Sequence, residues 1–127
     1  MVNRDMFYFA DIDEKFITST KDIQGLEDGV LVHCQQCLEK NIKGIITKKY
    51  GVVSREHNLV KLLEVLYIKD YPELKKYKSL CRDFKDFYFS RRYASEDYEI
   101  LDSQEYRTYL GDFFELLEKL KKIRNTL

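Results

Sequence analysis

The sequence predicts an all-α protein, an antiparallel up-and-down bundle of four to five helices. Two observations carry that prediction. Apolar residues recur at three- and four-residue steps over most of the chain, and no segment alternates with period two for long enough to be a central strand. One proline and five glycines in 127 residues leave little turn chemistry, which favours few, long elements. With no internal repeat, low-complexity tract or linker, residues 1–127 are expected to form a single domain.

The elements follow in order. A first helix is expected from about Arg4 to Ile23, with Met6, Phe9, Ile12 and Phe16 as its apolar face. The Gly25 region breaks it. A second, about Glu27 to Tyr50, sets Val30, Leu31, Cys34, Cys37, Leu38, Ile42 and Ile45 on one broad face, and Gly51 stops it after Lys48 and Lys49. Ser54 can cap a third helix striped by Leu59, Leu62, Leu63 and Leu66. Tyr71-Pro72 then interrupts the chain, because proline suits a first helical turn and not an interior. A fourth helix is expected over about Glu73 to Ser90, and Arg91 to Leu101 reads as an ordered loop. Asp102-Ser103-Gln104-Glu105 has capping-box spacing, with Asp in place of Ser or Thr. It opens a last helix to about Asn125 on Tyr106, Leu110, Phe113, Leu117, Leu120 and Ile123.

Composition excludes several classes. The 22 Lys+Arg balance 22 Asp+Glu, which argues against a sequence-blind nucleic-acid binder, since that needs a basic surplus. The longest apolar-leaning stretch, Gly29 to Leu38, is too short for a membrane span of roughly 20 residues. The N-terminus turns acidic where a signal peptide needs an apolar run, and three cysteines cannot all pair. A reducing cytoplasm is the expected location. Cys34 and Cys37 form a C-x-x-C inside a helical pattern, where buried, inert thiols are expected instead of redox or metal chemistry. No metal and no cofactor is expected.

Two features stand out. On the second helix His33, Gln36, Lys40 and Lys43 fall within a stripe roughly 80° wide, a row of donors more than a ladder of ion pairs. It reads either as a solvated face or as ligand contacts. Asn41 projects toward the apolar side and must find a hydrogen-bond partner there. The second feature is Phe89-Ser90-Arg91-Arg92-Tyr93-Ala94-Ser95. Its arginines can satisfy the last carbonyls of a helix, or one of them can hold a phosphate or carboxylate through its planar fork with Tyr93 stacking nearby. Tyr50, Tyr67, Tyr71, Tyr93 and Tyr98 fall in or near expected loops, where exposed aromatics would mark contacts.

The run Val32 to Ile46, VHCQQCLEKNIKGII, resembles the second helix of the HEPN family, the "higher eukaryotes and prokaryotes nucleotide-binding" domains. Glu56-His57-Asn58-Leu59 resembles the family's His before a Leu-rich helix, and Phe9 to Phe16 resembles its first helix. Arg92-Tyr93-Ala94 stands where the family has Arg-Tyr-Pro, so the proline is lost. The resemblance implies a helical bundle that dimerises and binds a nucleotide (ATP-like) or RNA or another polyanion. It further implies a minimal nucleotidyltransferase partner in a toxin–antitoxin-like context, with ligand contacts from Arg92, Tyr93, His57, Lys40 and Lys43.

A ribonuclease branch of that family uses an Arg separated by four to six residues from a following His, the His moving protons while the Arg stabilises phosphate charge. Here Leu26, Glu27 and Asp28 precede His33 at that spacing, and Tyr50, Gly51 and Val52 precede His57. The motif is absent, and no catalytic residue is assigned. A divergent metal-independent ribonuclease and a non-catalytic oligomeric interaction protein stand as alternatives to the nucleotide-binding reading. His57 itself fits a structural role as well as a ligand role.

Overall fold

The computed structural model describes the backbone of residues 4–92 and 101–127 and the side chains of 4–87 and 101–127. Five α-helices and one 3-10 helix make up the described residues, with no strand among them. They are α1 (Met6–Thr20), α2 (Glu27–Tyr50), the 3-10 helix Pro72–Tyr77 between α3 (Leu59–Lys69) and α4 (Lys78–Arg92), and α5 (Ser103–Asn125). The all-α expectation holds.

The helix ends follow local chemistry. The Asp5 carboxylate accepts from the Tyr8 N–H and caps α1. α2 carries Glu27 and Asp28 in its first turn and Lys48 and Lys49 in its last, matching both ends of its dipole. It stops at Gly51, whose φ of 69° is a left-handed conformation that glycine adopts without strain. α5 opens on a complete capping box, Asp102 accepting from the Glu105 N–H and Glu105 from the Asp102 N–H.

α2 is the central element, packed by α1, α3, α4 and α5. Contacts fix the directions. Phe16 meets His33 while Cys37 reaches the Ala10 carbonyl, so α1 and α2 are antiparallel. Asp22 pairs with Arg107 and Asp11 with Arg124, so α5 is antiparallel to α1. Tyr109 bonds Asp83 and Tyr77 bonds Glu115, so α4 and α5 also oppose each other. The four long helices alternate. α3 does not: His57 lies against Glu39 and Lys43 while Asp70 bonds Tyr50, so residues 51–58 double back along α2 and α3 travels beside its end.

One apolar core runs through the bundle, with Ile17, Leu38, Ile42, Leu59, Leu66, Phe84 and Phe113 among its buried side chains. Cys34, Cys37 and Cys81 are buried as free thiols. Burial pushes all three up, Cys81 to about 12, so they remain protonated and inert. No described helix is long and apolar enough to cross a membrane.

Three expectations are corrected. Phe9, Ile12 and Phe16 face solvent, and α1 turns Ala10, Asp13 and Ile17 toward α2 instead. α1 ends at Thr20, short of Ile23. The cap of α3 is Asn58 and not Ser54, whose hydroxyl accepts from the Glu56 N–H within the doubling-back segment.

Candidate functional site

The functional candidates converge on the seam between α1, α2 and the 51–58 segment. α2 supplies His33, Gln35, Gln36, Glu39, Lys40 and Lys43; α1 supplies Asp13 and Phe16; the returning segment supplies His57. On α2 these positions recur at three- and four-residue steps, which is what brings them onto one side.

Two carboxylates organise the cluster. Asp13, with a side chain only 8% exposed, accepts from Lys40 Nζ at 2.6 Å and holds Nδ1 of His33 at 2.9 Å. Glu39, also buried, accepts from Gln35 Nε2 at 3.1 Å and Lys43 Nζ at 3.1 Å, and lies 3.2 Å from Nδ1 of His57. Gln36 Nε2 donates to the side-chain Oε1 of Gln35 at 2.6 Å. Every fully buried side-chain N and O among the described residues has a partner, as a buried network requires. The row-of-donors expectation is therefore overturned: both lysines are ion-paired, and Lys43 is itself buried. Sequence spacing on one helix could not show this for Lys40, because its partner Asp13 is 27 residues away.

The imidazoles are the outward-facing parts. His33 stacks on Phe16 with ring centroids 3.9 Å apart and lies one-third exposed. The His57 side chain is 80% exposed, with Nδ1 turned inward between Glu39 and Lys43 Nζ. No described residue bonds Nε2 of either ring, so both rings are oriented by a carboxylate and leave an edge for a ligand. Their anchoring points along α2, residue 33 and residues 39 to 43, stand about 9 to 15 Å apart. One phosphate group cannot bridge that gap. Among the described residues no group of three or more His, Cys, Asp or Glu converges to hold a metal.

Of the sequence-derived candidates, Lys43 and His57 are brought together on Glu39, while Lys40 pairs with Asp13 in the neighbouring set. For Arg92, the last residue of α4, only the backbone is described, and Tyr93 lies outside the described residues. Asp13 and Phe16 were missed by sequence reasoning. The available signal was a lone acidic residue at Ala10+3 and Ile17−4, on the face that turns inward.

The HEPN domain family model matches residues 20–123, most of the chain, including the whole of α2 and His57. This chain belongs to the HEPN family. No curated protein and no solved structure matches it. The residues of the HEPN resemblance on α2, from His33 to Lys43, are the ones that build the buried ionic cluster. In this chain those residues act structurally: Glu39, Lys43 and His57 form a carboxylate–lysine–histidine set that fastens the 51–58 segment to α2.

Proposed function

We propose that this HEPN domain is a binding module for a nucleotide, laid along α2, and that it works with a protein partner of the nucleotidyltransferase class. The observation that supports it is the pair of carboxylate-held imidazoles at the two ends of one seam. Phe16 and His33 offer a stacking surface for a base, and Nε2 of His57, with the ring in its doubly protonated form, offers an N–H to phosphate beside Lys43. Two lysines against two carboxylates leave the cluster without a surplus of positive charge. That balance favours a discrete nucleotide over a long polyanion, whose binding depends on excess charge.

The test is calorimetric titration with ATP and Mg²⁺. His57→Ala and Phe16→Ala should each weaken binding by about 1 kcal/mol or more, the scale of a charged hydrogen bond or an aromatic contact. Arg92→Ala, run alongside, tests whether the end of α4 shares the ligand. Affinity unchanged in all three variants, with the helical signal intact, would reject the reading. A second reading, self-association into a homodimer, is favoured by Phe9, Ile12 and Phe16, which α1 leaves in water.

A further inference from the structure

Apart from the ionic seam, α1 and α2 enclose a cavity of about 520 Å³ between the first turns of α1 and the last turns of α2. Met6 and Phe9 line one side and Val53 the other, while Arg4 and Lys48 stand at the rim. Gly44 lets this cleft exist. A Cβ there would lie 2.5 Å from Cε1 of Phe7, so the Phe7 ring rests directly on the α2 backbone and leaves the space above it open.

The walls are apolar and wet. Val53 is 79% exposed and Phe9 42%, and Val52 next to the cavity is also exposed. From Phe9 the apolar surface continues along α1 through Ile12 and Phe16, at steps of three and four residues, for about 10 Å. A surface of that length exceeds what a small molecule needs and matches the anchors of an amphipathic helix. The rim decides the charge of the occupant. Arg4 and Lys48 are exposed, and neither makes an ion pair among the described residues. The nearby carboxylate of Asp5 caps α1 through the Tyr8 N–H. Set against the single carboxylate of Asp5, which also lines the cavity, the two cations leave the rim with a positive surplus, and an occupant with apolar anchors and negative charge complements it.

We infer that this groove, from Val53 and Lys48 across Phe9 to Phe16, is the docking site for an acidic amphipathic helical segment of a partner protein. The groove shares Phe16 with the proposed nucleotide site, whereas Val53, Lys48 and Phe9 belong to the groove alone.

The experiment uses fluorescence anisotropy with two labelled helical peptides, and wild-type protein held at micromolar concentration. Both peptides carry Leu at i, i+3, i+4 and i+7; one has Glu at the flanking positions and the other has Lys. The acidic peptide should bind at least about tenfold more tightly than its basic twin. Val53→Asp should remove binding, and Lys48→Glu should weaken the acidic peptide by about tenfold while improving the basic one. Both positions are exposed, so neither change touches the core. Equal binding of the two peptides, or no response to Lys48→Glu, would overturn the inference. So would light scattering that shows a dimer at tens of micromolar, split by Val53→Asp: the groove would then belong to a second copy of this chain.

Discussion

Gly44 marks the closest approach of α1 to α2. Its missing Cβ would stand 2.5 Å from one ring atom of Phe7 and 2.8 Å from the next, and the ring can yield only toward the neighbouring cavity, away from the Arg124 guanidinium that lies 4.8 Å over it. Gly44→Ala should therefore destabilise the fold by about 1–3 kcal/mol despite the better helix propensity of alanine. Adding Phe7→Leu, which vacates the ring, should recover part of the loss. Urea denaturation of the single and double variants checks this, and an unchanged midpoint in Gly44→Ala would show that the ring moves aside freely. The same corner shows what one residue's sequence context can reveal. Asn41 was readable as a buried amide needing partners, since its place in the apolar period was plain. Those partners are the Cys37 carbonyl at 3.0 Å and Arg124 at 2.8 Å, the latter clamped by Asp11. Arg124 is 83 residues away, and no local pattern points to it.

At the scale of elements, helix ends with self-contained chemistry were legible. The Asp102–Glu105 capping box and the Gly51 stop both occur as the spacing predicts. The start of α3 was not, because two residues four apart can each serve as a cap and the choice rests on tertiary geometry. Residues 51–58 must travel back along α2 to place His57 against Glu39, and only then can helix begin. Asn58 accordingly accepts from the N–H groups of Val60 and Lys61 at 3.0 and 3.3 Å. Asn58→Ala should cost about 0.5–2 kcal/mol, as loss of a helix cap does. Ser54→Ala should change stability by less than about 0.5 kcal/mol, since its hydroxyl serves only an exposed turn. Equal effects in thermal denaturation would count against this assignment. The face of α1 was misread for a related reason. Period alone favours Phe9, Ile12 and Phe16 as the buried stripe, but Asp13 has two cationic or imidazole partners on α2 and turns the helix toward them.

Across the whole molecule, tyrosine hydroxyls tie together elements that the core alone leaves apart. Of the loop tyrosines that sequence reading offered for contacts, Tyr50 bonds Asp70 beneath Lys69 and Tyr71 packs against the core under Lys49, while Tyr93 and Tyr98 lie outside the described residues. Tyr77 joins the 3-10 helix to Glu115 of α5, and Tyr106 joins α5 to the Lys21 carbonyl at the end of α1. Burial is the main cause that pushes Tyr50, Tyr77 and Tyr106 each up from 10 to about 12; Asp70 adds to it at Tyr50 and Glu115 at Tyr77. The sign of the linkage follows. A phenol whose folded value is raised loses its proton first in the unfolded chain, so its contribution is complete below pH 10 and is lost as pH rises toward 12. The urea midpoint should therefore fall between about pH 10 and pH 12, while phenolate absorbance shows that these hydroxyls ionise together with unfolding. Tyr77→Phe should lower stability at neutral pH, where it strips Glu115 of a donor, but should make the alkaline fall shallower by removing one of the protons released. An alkaline fall as steep in Tyr77→Phe as in the unaltered chain would mean that the Tyr77 hydroxyl does not couple the 3-10 helix to α5.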